Sequence, residues 1–330
     1  MTARVLLLAT GDTMAYSTRP GREGLASGAD LLRAVPAESL GAEVTVVDVA
    51  AEPSWDTGAA TMLALARRVR SAILADGFDA VVVTHGTDTL EETAFLVDLL
   101  AGPAATRGGI VLTGGVRHLD DLGSDGPRNL ASAIVAATAP ELRGAGALVC
   151  ADDELHAARW VTLADATTVR GFSSAPFAPV ARVVGDRVET IGAAPPRPPE
   201  AGGPPEPDVA LVKTYPGMDP VLLTSIVDAG ARGVVLEGTG LGNVPAYLFA
   251  TISDLIEWDV PVVVASRCRT RRADLTELPL GVGLAAKLGA IGARDLAPAK
   301  ARIALMVALG GADAAGGALA AARDWFHRWR

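Results

Sequence analysis

Apolar positions cluster in short unbroken runs in the first half of the chain, at residues 5–9, 44–47, 80–84, 110–113 and 147–150, each made mostly of Val, Leu, Ile and Ala. Runs of four or five apolar residues without alternation predict strands covered on both faces. Between them lie stretches with helical spacing at residues 60–75, 90–100 and 128–137. Strand and helix in alternation predict an α/β domain built on a largely parallel sheet with flanking helices.

The pattern breaks between Gly185 and Asp208, where prolines and glycines crowd the segment 195–205 and neither regular element persists. Residues 186–208 are therefore expected to be a linker between an N-terminal catalytic α/β domain, 1–185, and a smaller C-terminal α/β domain, 209–330. In the latter, strands at 209–212, 233–237 and 261–265 alternate with helices near 220–229, 246–257 and 298–309. The tail 312–330 ends in Trp325, Phe326 and Trp329, which predicts a terminal helix whose aromatics cap that domain.

Composition narrows the function classes. A 330-residue chain with 50% hydrophobic residues has enough apolar surface for two cores. A net charge of −9 without a basic stripe argues against a nucleic-acid partner. No apolar run is long enough to span a bilayer, so no membrane partner is expected. The N-terminus enters a strand and a candidate site loop with no room for a cleavable signal, so the expected location is cytoplasmic. Cys150 and Cys268, far apart in sequence, read as free thiols.

The chemistry concentrates where strands end. Run 80–84 leads through His85 and Gly86 into Thr87, Asp88 and Thr89 at the mouth of a helix, and run 5–9 leads through Thr10 and Gly11 into Asp12 and Thr13. Open α/β sheets bind ligands at such strand ends. A second reading of the first segment is a capping box, Thr89-x-x-Glu92, with Thr87, Asp88 and Thr89 satisfying free amides at the helix start. His85 reads as a hydrogen-bonded strand-end histidine rather than a base.

The segment HGTDTLEETA at 85–94 resembles the signature of the bacterial-type L-asparaginases, and TGDTMA at 10–15 resembles that family's nucleophile motif, normally TGGTIA. Further matches follow in order: SDGPRNL at 124–130, GLGN at 240–243 and SRC at 266–268. The resemblance implies a two-domain asparaginase-like fold and hydrolysis of a side-chain amide such as that of L-asparagine. It implies no cofactor and no metal, a small-molecule amide substrate, and assembly as a homodimer or homotetramer. It makes Thr13 the nucleophile, Thr87 and Asp88 two members of a proton relay, and Asp88 the holder of the substrate's ammonium. Ser54 falls where the family grips the α-carboxylate, though it also suits an ordinary loop. Asn243 matches an asparagine lent by a neighbouring subunit, though Asn before Val-Pro also forms turns.

Several positions depart from the family pattern. The relay lysine maps onto Leu163, and the chain's three lysines, Lys213, Lys287 and Lys300, all follow the linker. General-base catalysis is typically worth about 10²- to 10⁴-fold, so asparagine turnover is expected to be slow or absent. Asp12 replaces the second glycine of TGGT, as a substitute base or as a charge that repels an anionic substrate. Trp55 replaces a polar clamp with an apolar surface. The lid tyrosine maps near Leu25, leaving Tyr16 as the tyrosine before the linker. A carboxylate lent by a neighbouring subunit maps near Val282, with Asp274 and Glu277 as loose substitutes. These departures keep open acyl transfer, a larger or less polar amide, and a noncatalytic ligand-binding descendant.

Two rivals fit poorly. Gly238-Thr239-Gly240-Leu241-Gly242 follows a strand, but a dinucleotide fingerprint needs glycine where Asn243 stands. The four histidines form no metal-ligand spacing. Asp125 and Arg117 read as structural members of one loop.

Overall fold

A computed structural model describes residues 2–21, 23–36, 40–49, 52–269, 275 and 284–329. The chain forms two units, residues 1–197 and 198–330. In the first unit the strands are β1 (Ala3–Ala9), β2 (Tyr16–Ser17), β3 (Gly24–Leu25), β4 (Ala42–Asp48), β5 (Ala80–Thr84) and β6 (Gly109–Thr113). They are followed by β7 (Ala147–Ala151), β8 (Glu154–Ala157), β9 (Thr162–Leu163), β10 (Phe172–Ser173), β11 (Ala181–Val184) and β12 (Arg187–Thr190). The helices are α1 (Gly28–Arg33), α2 (Ala59–Leu74), α3 (Leu90–Ala101), α4 (Ala104–Arg107) and α5 (Gly126–Thr138).

Eight of these strands form one sheet in the order β12-β11-β8-β7-β6-β5-β1-β4. The five predicted runs pair in parallel, whereas β7-β8, β8-β11 and β11-β12 are antiparallel, so the sheet is mixed. The apolar runs of β1, β5, β6 and β7 follow from burial on both faces, whereas β4, expected to be covered likewise, lies at the sheet edge, half-buried, with Val47 exposed. Val5 and Leu7 of β1, with Ala80 and Val82 of β5, join one core beside Leu130 and Ile134 of α5. Leu6, Leu8, Val81 and Val83 point the other way and pack with Leu65 and Val69 of α2 and Ala94 and Val97 of α3. Strand β12 lies inside the stretch expected to be linker. Its residues, Arg187–Thr190, precede the proline run and pair in register with β11. Arg197 is also held to the first unit by an ion pair with buried Asp98.

The second unit has four parallel strands, β13 (Val209–Lys213), β14 (Gly233–Gly238), β15 (Val262–Ser266) and β16 (Ile291–Gly292), in that order. Its helices are α6 (Val221–Asp228), α7 (Phe249–Glu257), α8 (Leu284–Lys287), α9 (Pro298–Leu309), α10 (Ala312–Ala315) and α11 (Ala318–Arg328). Leu236 and Val264 pack with Leu248, Ile252 and Leu255 in its core. Trp325, Phe326 and Trp329 are buried, as expected of the terminal helix. Both cysteines are free. No helix among the described residues is long and apolar enough to cross a membrane.

Strand order places the candidate site. The chain passes from β1 to β4 on one side and then to β5 on the other, so the crevice between the ends of β1 and β5 is the switch point where such sheets bind ligands. Thr10 and Thr84 stitch those ends together: the Thr10 hydroxyl donates to the Thr84 carbonyl at 2.8 Å, and the Thr10 amide to the Thr84 hydroxyl at 3.3 Å.

Candidate active site

Past the end of β1 the backbone turns through Gly11 and Asp12 into a short 3₁₀ turn over Thr13–Ala15. Asp12 has φ 75° and ψ −166°, a conformation that favours glycine and costs roughly 1–3 kcal/mol for other residues. Its carboxylate is heavily bonded. Oδ1 accepts the Thr13 amide at 2.6 Å and the Thr13 hydroxyl at 3.0 Å. Oδ2 accepts the Ser54 amide at 2.8 Å. Burial pushes the Asp12 carboxyl upward, but the bonds from Ser54 and Thr13 outweigh it and hold the group below its ordinary value.

Buried Ser54 is the hub between the two strand ends. Its hydroxyl donates to Asp88 Oδ2 at 2.9 Å, and its carbonyl accepts the Thr89 hydroxyl at 2.6 Å. This overturns the capping-box reading. Thr89 occupies the N-cap position of α3 but makes no side-chain cap bond, because its hydroxyl is drawn across to the Ser54 turn. Gly86 is required by the same convergence: a Cβ there would lie 2.0 Å from Asp12 Oδ2 and 2.3 Å from Ser54 Oγ. Thr13, Asp12, Ser54 and Asp88 thus form one hydrogen-bonded chain.

A cavity of about 390 Å³ opens on this chain. Thr10, Asp12 and Thr13 line its floor, with Tyr16, Leu25, Pro53 and Trp55 as apolar wall and Glu52 and His118 as the other polar groups. Tyr16 and Leu25 sit opposite each other in the β2–β3 ladder, and the Tyr16 ring tilts against His118 at 5.3 Å. Ser54, Thr87 and Asp88 are not among the lining residues: Ser54 and Asp88 reach the cavity through Asp12, and half-buried Thr87 packs near Gly114 at the end of β6. Sequence reasoning did not single out Thr10, Glu52, Pro53 or His118 as cavity residues. His118 had no local signal, since it reaches the site from a loop more than a hundred residues after Thr13.

His85 is buried, and burial lowers its pKa against the opposing pull of the Gly86 carbonyl and the Asp12 charge. Nδ1 lies 2.8 Å from the Gly86 carbonyl and Nε2 3.1 Å from the Thr93 hydroxyl. A carbonyl only accepts, so Nδ1 carries the proton, and the neutral ring takes the Thr93 hydroxyl at Nε2. Asp125 accepts the amides of Val116 and Arg117 at 3.0 Å each, which fits its structural reading.

Leu163 is half-buried in the β9–β10 hairpin, which is tied to the first turn of α3 by the Thr162 hydroxyl donating to Glu91. In the second unit, the Asn243 backbone bridges to Thr239, and its side-chain carbonyl is buried without a hydrogen-bond partner among the described residues. Asp274, Glu277 and Val282 lie outside the described residues.

The family model described as "Asparaginase, N-terminal" matches residues 4–195, and "Glutaminase/Asparaginase C-terminal domain" matches residues 208–319. The chain is 30% identical over 315 residues to an L-asparaginase of Bacillus licheniformis, covering 94% of this chain and 96% of that one. It is 34% identical over 313 residues to a probable L-asparaginase of Deinococcus radiodurans, covering 93% and 92%. A crystal structure of a probable cytoplasmic L-asparaginase from Campylobacter jejuni superposes with a TM-score of 0.83 at 27% identity, covering 98% of this chain and 99% of that one. With both family domains matched in order over the two units, the chain belongs to the asparaginase family.

Proposed function

We propose that this protein is an asparaginase-like amidohydrolase that cleaves a small primary amide with Thr13 as nucleophile. The observation that carries this reading is the Thr13 hydroxyl on the floor of the switch-point cavity, donating to an adjacent carboxylate at 3.0 Å. A threonine hydroxyl needs a proton acceptor to attack a carbonyl. No lysine stands at 163, and Asp12 supplies the acceptor instead.

In this account Thr13 Oγ bonds to the amide carbon while its proton passes to Asp12. The C–N bond then breaks, the nitrogen leaves as ammonia with that proton, and an ester remains on Thr13. Water cleaves the ester, giving the carboxylic acid and restoring the hydroxyl. A carboxylate held below its ordinary pKa is ionised at neutral pH but a weaker base than a poised group, which favours modest turnover. Asp88, fixed by Ser54 just outside the lining with Thr87 nearby, adds its negative charge to that which Asp12 and Glu52 present to a substrate's ammonium.

Assembly as a homodimer or homotetramer, with Asn243 serving a neighbouring subunit's cavity, and a cytoplasmic location complete the proposal. The Campylobacter relative is described as probably cytoplasmic, whereas one from Haemophilus influenzae is described as probably periplasmic. The test is ammonia release from asparagine, glutamine and 3-aminopropanamide by the native protein and by Thr13→Ala. Turnover that survives Thr13→Ala undiminished rejects the nucleophile.

A further inference from the structure

Two backbone amides able to receive a carboxylate stand at the cavity floor, that of Thr13 in the lining and that of Ser54 just behind Asp12, and both are already taken. Asp12 accepts the amides of both Thr13 and Ser54, and the Ser54 hydroxyl is turned toward Asp88. The space for this internal carboxylate is built in: Gly86 leaves its side open, and Asp12 is held in a glycine-favouring conformation that delivers it there. Among the described residues, the lining contains two carboxylates, Asp12 and Glu52, and no lysine or arginine. His118 is the remaining ionisable base in the wall, packed against Tyr16. The rest of the wall is apolar, with Trp55 and Tyr16 presenting exposed aromatic surface.

We propose that the side chain of Asp12 fills the carboxylate position of this cavity, so that its substrate is a primary amide carrying an amine and no carboxylate, in the class of ω-amino amides. The proposal rests on the amidohydrolase reading and specifies its substrate. Its simplest member is 3-aminopropanamide, which is asparagine without the α-carboxylate. An ammonium group there meets the carboxylates of Asp12 and Glu52 and the aromatic side chains of Tyr16 and Trp55, and cations are attracted to both kinds of group. A substrate carboxylate meets Asp12, ionised at neutral pH because its hydrogen bonds outweigh its burial, and finds the amides of Thr13 and Ser54 occupied.

Binding and turnover are tested separately. In the Thr13→Ala background, calorimetry with 3-aminopropanamide and with asparagine should show the carboxylate-free amide binding at least about tenfold tighter, the factor that one charge-assisted hydrogen bond carries. Adding Asp12→Gly frees both amides in a backbone conformation that suits glycine, and should reverse the order. Asparagine binding as tightly as, or tighter than, 3-aminopropanamide before that change overturns the proposal, as does failure of 3-aminopropanamide to bind. Ammonia release by the native protein then judges the underlying reading. Release from asparagine with no binding preference sinks the proposal and leaves amide hydrolysis standing. The expected preference without release from either amide supports the assigned ligand class and removes the hydrolase reading.

Discussion

Gly86→Ala should damage the site by a mechanism that can be isolated. The added methyl carbon would lie 2.0 Å from Asp12 Oδ2, 2.4 Å from Asp12 Cγ and 2.3 Å from Ser54 Oγ, so at least one neighbour has to leave. Overpacking of this kind costs roughly 1–3 kcal/mol. Displacing the Asp12 carboxylate also breaks its bond from the Ser54 amide, worth about 1.5–3 kcal/mol as a charge-assisted bond. Together they predict a loss of about 2.5–6 kcal/mol in the transition that unfolds the first unit, read by urea titration with far-UV circular dichroism. Asp12→Gly removes two of the three nearest obstructing atoms and leaves the third, the Ser54 hydroxyl oxygen, a side-chain end that can rotate. The same Gly86→Ala change should then cost at least about 1.5 kcal/mol less in the Asp12→Gly background, a coupling typical of residues in direct contact. Costs that add within about 0.5 kcal/mol in the double variant would refute the reasoning, because the close approach would then not run through Asp12.

Asparagine hydrolysis should be slow or absent in the native protein, because Asp12 meets the substrate's carboxylate, and rise on Leu163→Lys, more so with Asp12→Gly added, where the lysine takes over from Asp12 as proton acceptor; robust native turnover that falls in Leu163→Lys, measured as ammonia release, would show that Asp12 serves asparagine without repelling it. His85 contributes a pH dependence whose sign is fixed by its lowered folded pKa. Its stabilisation is present above the unfolded value of 6.5 and is lost as pH falls from there to the folded value. Urea midpoints should therefore decline as pH falls below 6.5, and His85→Gln should flatten that part of the profile; an unchanged slope would contradict a buried neutral ring. Light scattering should give a dimer or tetramer, and monomer alone at micromolar concentration would count against a shared site.

Legibility in the sequence followed from how local each determinant is. The parallel half of the first sheet was readable because burial on both faces makes β1, β5, β6 and β7 nearly continuously apolar, and their shortness and Val/Ile content set them apart from buried helix segments. The antiparallel half was not. Strands β8, β11 and β12 have four residues each, and β12 borders a proline run whose composition masks it. The two-residue pairs β2–β3 and β9–β10 are too short to carry a period. At the site, both strand ends were readable from the threonines and carboxylates that follow them. The fate of Thr89 was not, because the side chain is claimed by a carbonyl 35 residues away rather than by its own helix. Asp12 was visible as an anomaly in TGDT, but whether it faced outward as a free charge or inward onto Thr13 and Ser54 depended on Gly86, a contact across the switch point.

The central claim is that Thr13 carries the acyl group during turnover, and the direct measurement is mass spectrometry of the acid-quenched enzyme in the presence of whichever amide, 3-aminopropanamide or asparagine, releases ammonia. After digestion, the account predicts an ester of the product acid on the peptide containing Thr13, absent in Thr13→Ala together with activity. An ester mapped to another residue, or full turnover with Thr13→Ala, would contradict it.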